Sequence, residues 1–229
     1  MNIRNIFIRI ISGGPERRSR LHDEKGNFVG WRRLILNGSR AIGSGMLRIC
    51  FGVRSEKPWI SYAAIKKLDQ FLHADSRVLE FGSGMSTIWY AKRCKEVYSV
   101  DDFRAWYEKV ARLIRSKGLN NIKFSFLDDR VEYSRYGSNA GGLFDLVVVD
   151  GSYRSDCILT AFELVGPGGI VYLDNSDKDS GVDGGDMRQA ELSARRLAAE
   201  VEAVISEFTD FAPTQLFVQQ GLLIKLPPR

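Results

Sequence analysis

A glycine loop with an acid ahead of it is the first segment that could do chemistry. Glu80 lies in the apolar run RVLEF, and Gly82-Ser83-Gly84 follows it. Glycines between a strand and a helix let the backbone approach a ligand without a Cβ in the way. The next helix offers free N–H groups to a ligand carboxylate. We therefore predict a cofactor site with these members: Glu80, Gly82, Ser83, Gly84, Ser86 and Thr87.

The acid at position 80 bears on which cofactor the loop would take. A dinucleotide-binding loop holds a pyrophosphate, and a carboxylate beside it would repel that group. A sulfonium cofactor with a free amino group tolerates or prefers an acid there. Thr87 also takes the place of the third glycine of the dinucleotide pattern. The loop thus favours S-adenosylmethionine over NAD, and a purely structural turn is the alternative.

Further acids follow the next two predicted strands. Asp101 ends a strand 21 residues after Glu80, where an acid can hydrogen-bond to both ribose hydroxyls of a nucleoside. The sequence leaves open whether Asp101 or Asp102 points inward, and Asp102 also suits the N-cap of the following helix. After the third strand, Asp128 or Asp129 is placed to reach the adenine amino group.

Asp150, Asp174 and Asn175 follow the fourth and fifth predicted strands. Because the carboxyl ends of parallel strands meet at one edge, we expect these side chains to converge on the cleft. Two carboxylates and an amide oxygen form a set that Mg²⁺ prefers. Without a metal, Asp150 would be the general base for a hydroxyl. The alternative is that these residues only close strands into turns.

The surrounding sequence predicts the strands and helices that hold these residues. Strand-like runs at 77–81, 96–100, 122–127, 144–149 and 170–173 alternate with helical patterns at 59–72, 86–94, 104–117, 156–164 and 187–201. This alternation predicts an α/β fold with a Rossmann-like, doubly wound, mostly parallel seven-stranded sheet. Residues 204–211 and 216–226 would form a C-terminal antiparallel hairpin at the sheet edge.

The first 56 residues read as a basic N-terminal extension of irregular structure, ahead of a cofactor-binding domain at 57–229. Residues 1–58 hold 12 Lys/Arg against 4 Asp/Glu, whereas the whole chain has a net charge of +5. A basic arm favours an anionic partner such as a membrane surface, and a solvated tail is the alternative. One face of a short helix would carry these apolar residues: Ile3, Ile6, Phe7, Ile10 and Ile11. They predict peripheral membrane contact; packing on the domain or on a second subunit is the alternative.

Composition excludes several classes of protein. No run approaches the roughly 18 apolar residues of a membrane span, and Arg9 interrupts the only N-terminal apolar run, so we expect no secretory signal. The three cysteines are far apart without a CxxC pair, which fits a reducing, cytoplasmic compartment. Two histidines exclude a histidine-rich metal site.

Longer stretches resemble a known family. VLEFGSGMST and EVYSVDDFRAWYEKV resemble the first two motifs of class I S-adenosylmethionine-dependent methyltransferases. FDLVVVDGSYRSDC and GPGGIVYLDNSD are similar to bacterial methyltransferases of glycans and surface polysaccharides. The resemblance spans about residues 57–227. It implies methyl transfer from S-adenosylmethionine to a hydroxyl of a small molecule or glycan.

The resemblance also bears on metal and substrate. Asp150, Asp174 and Asn175 resemble the magnesium ligands of metal-dependent O-methyltransferases such as catechol O-methyltransferase, where the ion lowers the pKa of the substrate hydroxyl. The Asn/Asp-Pro-Pro-aromatic signature of amino-methyltransferases is replaced by Asp150-Gly151-Ser152-Tyr153. This disfavours methylation of base nitrogens and a nucleic-acid partner. An aminopropyl transferase and a non-catalytic adaptor at a membrane or protein partner are the alternatives, and homo-oligomerisation is open.

Overall fold

The computed structural model describes residues 16–52, 55–178 and 184–228. The predicted apolar face of residues 3–11 lies outside the described residues, as do residues 179–183. None of the described helices is long and apolar enough to cross a membrane.

Seven strands form one mixed sheet in the part of the chain that the structure describes, in the order β3-β2-β1-β4-β5-β7-β6. The strands are β1 (Arg77–Phe81), β2 (Glu96–Asp101), β3 (Ile122–Phe126), β4 (Phe144–Val149), β5 (Val165–Leu173), β6 (Val204–Phe211) and β7 (Val218–Lys225). The first five are parallel, and β7 runs antiparallel to both β5 and β6. The predicted fold class and the C-terminal hairpin at the sheet edge are confirmed.

Helices cover the sheet between successive strands. They are α1 (Trp31–Arg33), α2 (Ser39–Phe51), α3 (Tyr62–Phe71), α4 (Met85–Ala91), α5 (Arg104–Ser116), α6 (Arg130–Ser134), α7 (Arg154–Leu164) and α8 (Gly184–Glu200). Two helices begin earlier than predicted, since α7 starts at Arg154 and α8 at Gly184. Strand β5 also begins earlier, because Val165 already pairs with β4.

The core is divided by the sheet into two layers. Leu79, Phe81 and Val147 pack in one hydrophobic cluster, while Val78 and Val148 pack in the other. Successive side chains of a strand point to opposite faces, so strands covered on both faces are apolar throughout. The run FDLVVV has this character because helices pack against both faces of β4.

The N-terminal segment is helical where the sequence predicted irregular structure. A single π-helical turn, Leu34–Gly38, joins α1 to α2, so the chain is helical from Trp31 to Phe51. The segment is docked on the β6–β7 hairpin: Thr209 donates to the buried Asp23 carboxylate (2.8 Å), and Val218 N donates to Arg20 O (2.9 Å). The prediction of irregular structure over these residues was wrong.

Candidate active site at the carboxyl edge of the sheet

Backbone hydrogen bonds align the ends of four neighbouring strands. Gly82 N donates to Val100 O (3.0 Å), Asp150 N to Phe81 O (2.9 Å), and Asp174 N to Val149 O (3.1 Å). These bonds bring the glycine loop and the acids after β2, β4 and β5 to one edge of the sheet. Ligands of open α/β sheets bind at this edge.

The two loop glycines have different physical reasons to be glycine. Gly82 has a left-handed φ of +93°, and a Cβ there would lie 2.7 Å from the backbone of Gly151. Position 82 therefore needs glycine because the loops after β1 and β4 touch. Gly84 has an extended backbone, and a Cβ there would meet only Ser86 Oγ (3.7 Å) and Trp106 Cζ2 (3.9 Å). The space beside Gly84 is thus open to a larger group.

Glu80 is buried with half of its carboxylate unpaired. Its Oε2 accepts from Thr87 Oγ1 (2.6 Å) and Ser99 Oγ (2.8 Å), and Thr87 Oγ1 also accepts from Gly84 N (3.0 Å). Glu80 Oε1 is buried and makes no hydrogen bond among the described residues, although the Ser86 hydroxyl is close enough to lower the pKa of the carboxyl. Burial raises the pKa of Glu80 to about 7, against the hydroxyls of Ser86, Thr87 and Ser99, which lower it. A buried acceptor without a donor is costly, and a ligand ammonium group would satisfy it.

Asp101 is the inward-facing acid of its pair. Its Oδ2 accepts from Ser83 N (3.0 Å) and Ser83 Oγ (2.6 Å), and its Oδ1 accepts from Phe103 N (3.0 Å). Asp101 is buried, whereas Asp102 is partly exposed. The N-cap of α5 is Phe103 rather than Asp102, so the capping role considered for Asp102 is not observed. The ribose contact stays a prediction, with Asp101 better placed to make it.

Asp101→Ala should weaken binding of S-adenosylhomocysteine by about 1.5–3 kcal/mol, because it removes charge-assisted hydrogen bonds. Asp102→Ala is the matched control and should change the affinity much less. Titration calorimetry measures both, and thermal melting without ligand separates the affinity loss from loosening of the Ser83 loop. A larger loss of affinity in Asp102→Ala than in Asp101→Ala would assign the ribose contact to Asp102.

The two acids after β3 have different surroundings. Asp129 caps α6, since its Oδ1 accepts from Val131 N (2.9 Å) and Glu132 N (3.0 Å). Asp128 is exposed at the carboxyl end of β3. Because the cap already occupies Asp129, Asp128 is the better candidate for the predicted contact with an adenine amino group.

Arg154 lies between the acids after β4 and β5. The guanidinium is 5% exposed and donates to Gly151 O (2.9 Å), Asp174 O (2.6 Å) and Asp150 Oδ1 (3.2 Å). The Asp174 carboxylate accepts from Tyr172 Oη (3.2 Å), and Gln219 Nε2 lies 3.4 Å from both of its oxygens. The structure thus brings Asp150 and Asp174 together, as predicted, but with a buried cation between their strands.

The two carboxyls differ in their electrostatics. Burial, followed by the charge of Asp150, raises the pKa of Asp174 well above its ordinary range. Burial also raises the pKa of Asp150, while the Arg154 guanidinium lowers it. Like charges this close disfavour double ionisation, and one arginine balances one negative charge. Asp174 therefore keeps its proton to higher pH than Asp150 does.

This donor set does not fit the Mg²⁺ that the sequence predicted. Hydrogen-bond donors already face the Asp174 carboxylate, and the Arg154 cation touches Asp150, where it would repel a divalent ion. Asn175 has a left-handed backbone (φ 51°), and its carbonyl accepts from Lys178 N, as in a turn. Within residues 16–52, 55–178 and 184–228, no three His, Cys, Asp or Glu side chains are grouped as metal ligands.

The aromatic residues before β1 have separate positions. Trp59 is partly buried; its ring centroid lies 6.5 Å from that of Trp106, and its carbonyl accepts from Gln219 Nε2 (3.0 Å). Gln219 thus links Trp59 to the Asp174 carboxylate. Tyr62 packs in the cluster beneath the N-terminal segment, with its hydroxyl 3.3 Å from Ser44 Oγ, so it is a core residue.

The aspartates of the loop after β5 have structural roles where they are described. Asp177 is buried and accepts from Glu24 N (3.1 Å) and Gln220 N (3.1 Å). Asp186 lies within the first turn of α8 and accepts from Arg154 N (2.8 Å) and Ser155 N (3.2 Å). It therefore caps α7, which fixes the start of the helix that carries Arg154.

Arg154 and Trp106 are site residues that the sequence analysis missed. Trp106 Nε1 donates to Ser83 O (2.8 Å) and so supports the glycine loop from α5. Arginines are seldom buried, and a single arginine four residues after an aspartate carries no distinctive signal. The predicted helix began at residue 156, whereas α7 begins at Arg154. The sequence therefore did not place Arg154 in the first turn of a helix, close to Asp150.

Comparison with solved structures identifies the fold. The O-methyltransferase TomG from Streptomyces achromogenes, solved with S-adenosylmethionine, superimposes with a TM-score of 0.59 at 18% identity, covering 82% of this chain and 89% of that one. The rRNA methylase of Streptococcus thermophilus gives a TM-score of 0.52 at 13% identity, covering 73% of this chain and 96% of that one. The fold is that of class I methyltransferases.

A third similar structure extends over the N-terminal segment. A protein assigned as an O-methyltransferase in Klebsiella pneumoniae matches 98% of this chain and 96% of its own, with a TM-score of 0.56 and 16% identity. No protein-family model and no curated protein matches the sequence. The structural matches therefore establish the fold of the chain.

Proposed function

We propose that this chain is an S-adenosylmethionine-dependent methyltransferase that methylates a hydroxyl of a small molecule or glycan. The observation that carries the proposal is the buried Oε1 of Glu80, which makes no hydrogen bond, together with the open space beside Gly84, whose N–H shares Thr87 with Glu80. An ammonium group placed there would satisfy the carboxylate, and a pyrophosphate would not. Structural similarity to methyltransferases solved with S-adenosylmethionine or S-adenosylhomocysteine supports this choice of cofactor.

The cofactor would be held by residues from three strand ends. Glu80 would bind its amino group, Asp101 the ribose, and Asp128 the adenine, while Gly84 leaves room for its approach. When bound, S-adenosylmethionine supplies an electrophilic methyl group on a sulfonium, so the protein chiefly positions the acceptor. Ser83 and Trp106 hold the loop in place from the cofactor side.

Asp150 is the proposed general base. Its side chain is partly exposed to the cleft, and its raised pKa brings it closer to that of an effective base at neutral pH. Arg154 fixes the position of the carboxylate and stabilises its ionised form. We propose that the acceptor hydroxyl loses its proton to Asp150 without the help of a metal.

Methyl transfer from isotope-labelled S-adenosylmethionine to a panel of hydroxylated acceptors, including free sugars and glycans, tests this function. We expect transfer to continue in excess EDTA and Asp150→Asn to lower kcat by about 10²–10⁴-fold, with S-adenosylhomocysteine affinity little changed. Activity that vanishes in EDTA and returns with Mg²⁺ would contradict the metal-free mechanism. Transfer to RNA but to none of the hydroxylated small acceptors would overturn the acceptor class, since an rRNA methylase shares the fold.

Cofactor affinity should increase with pH between about 6 and 8. In the free protein, burial raises the pKa of Glu80 from 4.5 to about 7, so its contribution to folding stability is full below 4.5 and is lost as pH rises through 7. A cationic ligand group favours the ionised carboxylate, so binding below pH 7 should release a proton.

Calorimetry in two buffers of different protonation enthalpy measures this proton release. Glu80→Gln keeps the shape of the side chain but cannot ionise, so the proton release should disappear and the affinity should fall. If the wild-type affinity were equal at pH 6 and pH 8 and no proton were released, the proposed contact between Glu80 and the ligand ammonium group would be wrong.

A further inference from the structure

The helical segment Trp31–Phe51 exposes an unusual amount of apolar surface. Its exposed large apolar side chains are Trp31, Ile35, Leu36, Ile42, Met46, Leu47, Ile49 and Phe51. Ile42, Met46 and Ile49 are 56%, 59% and 76% exposed and recur at i, i+4 and i+7, so they share one face of α2. Scattered exposed apolar residues are normal, but a contiguous patch marks an interaction surface.

An adjacent face of the same helix is fixed on the domain. Ala41 is fully buried, and added Cβ atoms at Gly38 and Gly45 would lie 3.5 Å from Phe211 and Leu216, respectively. The small residues let the helix lie close against the β6–β7 hairpin and its connection. The domain thus holds the helix with its large apolar side chains facing outward.

The charge of this segment indicates what covers the apolar face. Its charged residues are Arg32, Arg33, Arg40 and Arg48, with no Asp or Glu between Trp31 and Phe51. Arg32 and Arg40 are exposed beside the apolar residues. A symmetric contact with a second copy would place the same arginine-bearing faces against each other, and like charges repel. An anionic surface would attract them.

We propose that the segment Trp31–Phe51 binds flat on an anionic membrane surface, with its apolar side chains in the headgroup–acyl boundary and its arginines at the phosphates. Apolar burial together with basic side chains is the combination that interfacial helices use. Each basic residue near an anionic surface adds to the attraction, which weakens as salt is added. The assignment concerns the described helix and does not depend on residues 1–15.

Co-sedimentation of the full chain with vesicles tests the proposal, using phosphatidylcholine with and without phosphatidylglycerol. We expect binding to the anionic vesicles that weakens with salt, and little binding to neutral ones. The double variant Met46→Asp/Ile49→Asp should lose at least about tenfold in partitioning. Leu192→Asp, at an exposed apolar position on α8 (54% exposed), is the matched control and should bind like wild type.

A second variant covers the case in which the double aspartate protein does not fold. Arg32→Glu/Arg40→Glu changes exposed charges only and should reduce binding to the anionic vesicles and abolish its salt dependence. Failure of wild type to sediment with anionic vesicles at low salt would overturn the proposal, as would undiminished binding of both double variants. A dimer in analytical ultracentrifugation that Met46→Asp/Ile49→Asp dissociates, without vesicle binding, would assign the face to a second copy.

Discussion

Arg154→Ala should lower the free energy of unfolding by about 3 kcal/mol. This is the lower end of the range for breaking a buried ion pair, because the Asp150 side chain is 30% exposed. The guanidinium is 5% exposed and binds Gly151 O, Asp174 O and Asp150 Oδ1. Its loss leaves the buried Asp174 carbonyl and the partly buried Gly151 carbonyl without this donor, and the Asp150 carboxylate without its counter-ion. Urea unfolding followed by circular dichroism measures the change.

Arg135→Ala is the matched control for this prediction. Arg135 also pairs with an acid, Glu163, but both side chains are more than half exposed, so its loss should cost at most about 1 kcal/mol. Arg154→Lys restores the charge without the planar fork that reaches three acceptors, and should recover only part of the stability. Equal destabilisation by Arg154→Ala and Arg135→Ala would contradict the account of a buried network between β4 and β5.

Gly84→Val should abolish cofactor binding while leaving the protein folded. The valine Cβ would lie at ordinary contact distances from Ser86 and Trp106, and an extended backbone accepts a β-branched residue. Its methyl groups would fill the open space beside position 84. We expect at least a hundredfold loss of affinity for S-adenosylhomocysteine, about 2.7 kcal/mol, with a change in stability of about 1 kcal/mol at this helix N-cap.

Gly82→Ala provides the contrast within the same loop. Its φ of +93° and the 2.7 Å approach to Gly151 mean that even one methyl group must displace backbone. This variant should lose stability before any effect on ligand can be measured, whereas Gly84→Val should lose ligand first. Wild-type affinity in Gly84→Val would show that the cofactor does not approach this side of the loop.

The sheet could be predicted from the sequence because its signals are local. The apolar run FDLVVV and its alternation with helical patterns fix β4 as a buried parallel strand without knowledge of its neighbours. The helical segment Trp31–Phe51 could not be predicted in the same way. Its inner face is made by Gly38, Ala41 and Gly45, and its large apolar residues face outward. Glycines also lower helix propensity. The apolar pattern and the helix propensity, which usually indicate a helix, therefore both argued against one here.

The candidate site also has one part that the sequence predicts and one part that it does not. The placement of Glu80 and Asp101 at neighbouring strand ends follows from short-range spacing. In the structure the glycine loop lies between them: Ser83 donates to Asp101, and Gly84 N donates to Thr87, which donates to Glu80. The environment of Asp150 could not be predicted in this way, because the neighbouring Arg154 guanidinium also donates to the Asp174 carbonyl, which lies 20 residues away in the sequence. The helix that carries Arg154 is capped by Asp186, about 30 residues away. Contacts between residues this far apart in the sequence determine whether Asp150 and Asp174 form a metal site or lie beside an arginine.

Titration calorimetry of the full chain with S-adenosylhomocysteine and, separately, with NADH tests the central claim most directly. Glu80, Gly84 and Asp101 together predict micromolar binding of S-adenosylhomocysteine, about −8 kcal/mol, and no measurable binding of NADH. Binding of NADH without binding of S-adenosylhomocysteine would contradict the cofactor assignment and the methyltransferase function built on it.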